Sequence, residues 1–247
     1  MVNDGSTDET NRILSDYVRS DDRLVEVLTQ PDRGYDIRRV PANINLASRT
    51  AETELSTDFF MISGDDCTYP KDYAEALIQE MLAKPEIVVA SGCPSSDGVT
   101  SQENVPSGSG RMVNRRYWCE VGGRYPVRAG WETWLLYKAE EKGFKVRLFD
   151  DLVFDHARPR GSRHQFLYWG AAMQTLGYHP LYAIGRIAKN VMFRSMSLKG
   201  SMNFFRGYLQ ACLGSEDPFI SPFEPALRRF VRISQTKRIA RIITAQL

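Results

Sequence analysis

The sequence predicts an α/β fold with a mostly parallel sheet, followed by a helical extension. Three observations predict it. Short apolar segments alternate with amphipathic ones through the first part of the chain, polar acidic turns close two of the apolar segments, and beyond about residue 160 only helical patterns remain. The expected organisation is an α/β core over residues 1–160 and a basic helical extension over 161–247.

The first element is a helix from about Thr7 to Arg19. Ser6 and Glu9 have capping-box spacing, and Ile13, Leu14, Tyr17 and Val18 follow at helical intervals. A short strand is expected at "LVEVLTQ" (24–30). "PDRGYDIRRVPANIN" reads as loop, punctuated by Pro31, Gly34 and Pro41. "NLASRTAET" reads as helix, and "DFFMI" (58–62) as a strand that ends abruptly in "SGDDCTYP". A further helix starts at Pro70, which suits a first turn, and "EIVVASG" returns as a buried strand. Residues 94–110, "PSSDGVTSQENVPSGSG", read as a mobile Gly/Ser-rich loop of a length that is functional or disordered. "WETWLLYKAEEKG" is helical, and "FKVRLFDD" and "LVFDH" read as two strands.

Charge divides the 247 residues unevenly. Residues 1–155 carry 18 Lys/Arg against 27 Asp/Glu, whereas residues 156–247 carry 14 against 3, so a net −9 precedes a net +11. A basic tail of that kind faces phosphates, nucleic acid or an anionic membrane. No recognised nucleic-acid motif accompanies the charge, which argues against nucleic acid. Cys67, Cys93, Cys119 and Cys212 form no C-x-x-C pair, so reduced thiols and a cytoplasmic location are expected. No signal peptide opens the chain. Residues 165–185, free of Asp, Glu, Lys and Arg, contain Gln165, Gln174, His179 and Pro180 and make a poor spanning helix.

Ligands of open α/β sheets bind beyond the carboxyl ends of the strands. Two acidic clusters sit at such ends, "VNDGSTD" and "SGDD". The adjacent Asp65 and Asp66 either hold a divalent cation with phosphate oxygens or form a solvated turn that caps the next helix. Glu132, between Trp131 and Trp134, is either a carboxylate partly desolvated by its aromatic neighbours, which suits a general base, or a first-turn acid facing the helix dipole. His156, in "DHARPRG", is a metal ligand or a structural side chain, with Arg158 and Arg160 placed for phosphates.

In this order and spacing, "VNDGSTDET", "SGDD", "GG…WET…KG" and "DHARPRG" closely resemble the inverting glycosyltransferases of family 2, which have the GT-A fold. The resemblance covers about residues 1–160. It implies a nucleotide-diphosphate sugar as donor, a divalent metal (Mg2+ or Mn2+), and hexosyl transfer to a glycan or lipid-linked acceptor. It places donor contacts on Asn3, Asp4, Ser6 and Asp65, metal contacts on Asp66 and His156, and the catalytic base on Glu132. Departures exist: Asn3 and Ser63 stand where many members carry an acid, and "WET" replaces the common Glu-Asp. Family members also begin with a strand, a helix and a second strand before the first motif. The expectation is therefore a chain lacking that segment, and an inactive binding remnant is the rival reading. A nucleotide-sugar pyrophosphorylase fits poorly, because its Gly-rich phosphate loop is missing.

The tail resembles, more weakly, the basic helical tails of prokaryotic members acting on polysaccharides or membrane-borne acceptors. Residues 224–247 mix Arg228, Arg229, Arg232, Lys237, Arg238 and Arg241 with Leu227, Phe230, Val231 and several isoleucines. Such a helix either lies in the interface of the inner membrane face or packs on the core with a solvated basic side.

Overall fold

The computed structural model describes residues 1–20, 26–34, 36–54, 57–95, 105–157, 166–192 and 197–244. Residues 24–25 of the expected second strand, the middle of the expected 94–110 loop, Arg158, Arg160 and the expected boundary at 160 lie outside the described residues.

The chain opens with a small βαβ unit. Strand β1 (Val2–Asn3) pairs in parallel with β2 (Leu28–Thr29), and α1 (Thr10–Ser20) lies between them in sequence. The expected Ser6–Glu9 capping box does not form. The Asp8 carboxylate accepts from the Thr10 backbone N–H at 3.0 Å and from its hydroxyl, Glu9 pairs with Arg12 at 2.6 Å, and the helix starts three residues later than expected. Helix α2 (Arg39–Glu54) starts well before the expected "NLASRTAET". Pro41 falls in its first turn, where a missing N–H costs no hydrogen bond, so it admits helix where a loop was expected.

The main sheet has five strands in the order β3-β6-β5-β7-β4. These are β3 (Phe59–Ile62), β4 (Cys67–Thr68), β5 (Ile87–Pro94), β6 (Arg111–Asn114) and β7 (Lys145–His156). Only β5 and β7 run parallel in it. Strand β6 is antiparallel to both β3 and β5, and β4 is antiparallel to β7, so the sheet is mixed rather than mostly parallel. The reason lies in β6, which reading by pattern passes over because "RMVN" is short and polar at both ends. Inserted between β3 and β5 and running against both, it breaks the parallel order that an alternation of strands and helices predicts. The two strands expected at "FKVRLFDD" and "LVFDH" are one continuous strand with a register shift opposite Gly92/Cys93.

Helix α3 (Tyr73–Ala83) packs on one face of the sheet through Tyr73, Leu77 and Met81, which cluster with Ile87, Ala90, Met112, Phe149 and Phe154. On the other face lie α4 (Arg115–Glu120) and α5 (Trp131–Glu141), followed by α6 (Phe166–Thr175), α7 (Pro180–Met192), α8 (Leu198–Leu213) and α9 (Pro225–Thr244). One apolar cluster joins Val89, Val113, Trp118 and Leu135 of the α/β part to Ala171, Phe204, Leu227 and Val231 of the C-terminal helices. Of the two readings of the tail, residues 225–237 show packing on the core: Leu227, Val231 and Gln235 are buried, while Arg229, Arg232 and Lys237 are exposed.

Candidate active site

The turn after β3 and the end of β7 meet through β4. Register places Cys67 opposite His156, which carries His156 Nε2 to 3.7 Å from Asp66 Oδ2. The Asp66 carbonyl accepts from the Ala157 N–H at 2.8 Å, fastening the two segments at the backbone as well. Donor atoms of Asp66, Cys67 and His156 all lie within 4.8 Å of one another. A carboxylate oxygen and an imidazole nitrogen at that separation fit a shared divalent cation. Cys67 offers a soft sulfur donor and is a poor ligand for a hard ion. Asp65 is exposed on the same turn, and Asp66 and His156 are half-buried.

Segment 105–110 lies between this turn and Glu132. A Cβ on Gly64 would meet the Ser109 hydroxyl at 3.6 Å, and one on Gly108 would meet Glu132 Oε1 at 2.4 Å. Gly108 therefore gives the Glu132 carboxylate room to lie against the backbone. The expected desolvation by tryptophan does not occur. Trp131 and Trp134 turn into the core, whereas Glu132 is exposed, since successive residues of a helix point about 100° apart.

Arg111 holds this arrangement. Its guanidinium, 2% exposed, donates from Nε to the Ser107 carbonyl (2.9 Å), from Nη2 to that of Pro106 (3.1 Å) and from Nη1 to that of Glu132 (3.0 Å). One buried cation thus ties the loop to the first turn of α5 through three neutral acceptors. Tyr73 adds a second tie: its hydroxyl donates to the Gly110 carbonyl and accepts from the Gly92 N–H, both at 2.8 Å, and burial pushes it up to about 12. The Ser107 N–H donates to the Ser91 hydroxyl at 2.7 Å. The end of the expected mobile loop is thus fixed by four hydrogen bonds to three side chains.

The N-terminal motif forms a second group. Asn3 is buried; its amide donates to Asn11 (2.6 Å), and its oxygen accepts from the Ser6 N–H (3.1 Å) and hydroxyl (2.7 Å). Asn3 and Ser6 therefore shape the turn. Gly5, at φ +79°, passes so close to residues 31–32, beyond β2, that a Cβ would lie 2.5 Å from Asp32 Cα. This lifts Asp4 outward, where its carboxylate pairs with Arg39 Nη2 at 3.0 Å. The same guanidinium donates to the Gly34 carbonyl.

The sequence also matches a family description. A sequence model of glycosyl transferase family 2 matches residues 1–144, more than half of the chain. The chain belongs to that family. Among solved structures, this family 2 chain is similar to the mannosyltransferase PcManGT from Pyrobaculum calidifontis in complex with GDP-Man and Mn2+, with a TM-score of 0.54 and 14% identity over 97% of this chain and 70% of that one. It is also similar to S. aureus TarS residues 1–349, with a TM-score of 0.47 and 13% identity over 74% of this chain and 54% of that one. No curated protein sequence matches. The GT-A-like α/β fold expected from the motifs is thus the fold of this glycosyltransferase.

Three residues at the site escape sequence reading. Arg111 looks like an ordinary strand-end cation, Arg39 looks like part of a loop, and Cys67 gains its place only from the pairing of β4 with β7. A sequence clue exists for Cys67 alone, in its adjacency to Asp66.

Proposed function

We propose that this family 2 chain transfers a sugar from a nucleotide-diphosphate sugar to an acceptor hydroxyl with inversion, by direct displacement. The observation that carries this reading is the arrangement around segment 105–110: the Asp66–His156 pair borders one side, and the Glu132 carboxylate lies against the other. Glu132 accepts the proton of the acceptor hydroxyl as that oxygen bonds to the anomeric carbon. The bond from that carbon to the diphosphate breaks, and the electron pair leaves with the nucleoside diphosphate. Asp4, with Arg39 beside it, and Asp65 contact the donor, while Asn3 and Ser6 set the turn that presents Asp4.

Asp66 and His156 would hold a divalent ion, which supplies electrostatic stabilisation to the departing diphosphate when bound. Their mixed oxygen–nitrogen donor set suits Mn2+ better than Mg2+, which prefers oxygen throughout. The presence of GDP-Man and Mn2+ in the similar mannosyltransferase supports a ligand pair of this class. The acceptor belongs to the glycan or lipid-linked class, and the reaction is expected at the cytoplasmic side, where the reduced thiols are at home.

The test separates binding from chemistry. Calorimetric titration of nucleoside diphosphates in the presence of Mn2+ should give heat with the wild type and with Glu132→Gln alike. Turnover of the matching sugar donor should fall by about 10²–10⁴ in the variant, the usual contribution of a positioned base. Near-normal transfer by Glu132→Gln would remove the proposed base. Absence of any nucleotide binding would remove the enzyme reading.

A further inference from the structure

Helix α8 is apolar on two opposed faces, one packed and one in water. Its buried face is made for close approach: Gly200, Ser201, Phe204, Gly207 and Tyr208 turn inward. The backbones of α6 and α8 come so near that a Cβ on Gly170 or Gly207 would lie 1.8 Å from a carbonyl oxygen of the opposite helix. The outer face repeats Leu198, Met202, Phe205, Leu209 and Leu213, a single stripe along the helix with residues 42–88% exposed. Leu181 and Ile184 of the neighbouring α7 are exposed as well. A row of large apolar side chains in water marks an interaction surface.

Charge says what covers it. From Phe166 to Leu213 the sequence has five Lys/Arg and no Asp or Glu, and Lys199 and Arg206 of α8 are both exposed. We propose that the α8 stripe is a docking face for an anionic phospholipid surface, with the helix lying in the interface and Lys199 and Arg206 reaching the headgroups. A second copy of the chain would bring two cationic, acid-free surfaces together about a two-fold axis, which like-charge repulsion opposes. No helix among the described residues is long and apolar enough to cross a membrane, so the attachment is peripheral. This surface differs from the tail helix, whose Leu227 and Val231 are in the core. Helix α6, which carries α8, also buttresses the approach to α5: Thr175 Oγ1 donates to the Ala129 carbonyl at 2.8 Å, and Leu176 packs on Gly130. Docking through α8 therefore fixes how the Glu132 end of α5 faces the bilayer.

Co-sedimentation of the full chain with vesicles tests the proposal without using activity. Vesicles of equal parts phosphatidylcholine and phosphatidylglycerol should bind the protein, and pure phosphatidylcholine should bind it far less, with the difference narrowing at high salt. The double variant Phe205→Glu/Leu209→Glu should lower partitioning about tenfold or more with an unchanged melting temperature, since both side chains are exposed. Lys199→Glu/Arg206→Glu should remove the preference for anionic vesicles. Failure of the full chain to bind mixed vesicles, or equal binding by the apolar double variant, would overturn the proposal. So would light scattering that finds a wild-type dimer which the same pair of glutamates dissociates. Loss of binding only with Arg232→Glu/Lys237→Glu would move the surface to α9.

Discussion

Arg111 reaches the backbone of Glu132 through a guanidinium that is 2% exposed, whereas Asp4 reaches Arg39 across a pair whose side chains stay 37% and 20% exposed. The same contrast runs through the elements that carry them. Glu132 leads a helix with five buried residues, beside a sheet whose strand β5 is buried at all eight positions. Asp4 follows a two-residue strand, and α1 behind it buries nothing. One part of the site is set by packing and buried hydrogen bonds; the other is set by polar contacts at the surface. Under the proposed chemistry, the backbone that carries the base is fixed before anything binds, and the donor side is shaped by weaker interactions that a ligand readily adds to.

The sharpest way to break that contrast is Arg111→Met. It leaves the carbonyls of Pro106, Ser107 and Glu132 without their shared donor. A loss of about 3 kcal/mol in unfolding free energy is expected, each unsatisfied buried group costing roughly 1–3 kcal/mol with partial relaxation. Denaturant melts measure it, and turnover should fall along with stability. Gly108→Ala tests position without removing a bond. The new Cβ would meet Glu132 Oε1 at 2.4 Å, and the carboxylate must swing aside. Turnover should drop about tenfold (about 1.4 kcal/mol) with little change in melting temperature, because the obstructing atom ends a flexible side chain.

On the surface-held part, Arg39→Ala should cost about 1 kcal/mol, and the difference from wild type should shrink at high salt, as expected for a partly exposed pair. Nucleotide affinity, followed by calorimetry, should fall more than stability does. The smallest effect concerns Lys138, which bridges Glu141 and Glu224 at 2.7 Å each and ties α5 to α9. Burial alone would push Glu224 up, but its hydrogen bond from Lys138 brings the net shift below the ordinary 4.5. A carboxylate lowered in the folded state adds stability above its unfolded value and loses it as pH falls through the lowered one. The melting-temperature gap between wild type and Lys138→Met should hold steady from neutral pH to about 4.5 and close below it.

Much of this was legible in the residues. The order of "VNDGSTD", "SGDD", "WET" and "DHARPRG" identified the family and fold, since local turn chemistry and apolar runs leave direct marks on sequence. The resemblance named Asp66 and His156 together as metal contacts, whereas their approach to 3.7 Å comes from the register of β4 against β7. Other features left no such mark. Strand β6 is four residues with polar ends, and Pro41 looked like punctuation until its place in a first turn was known. The tryptophans around Glu132 suggested desolvation, but helical geometry sends adjacent side chains in different directions.

The sequence by itself therefore determined the class of fold, the family and the candidate chemistry, because those depend on residue type and spacing. Only the tertiary structure decided what holds them. A buried arginine, a glycine with no room for a Cβ, and the choice of which face of α8 meets water depend on long-range approach. Residues far apart in the chain make those contacts, and no local pattern encodes which of them will meet.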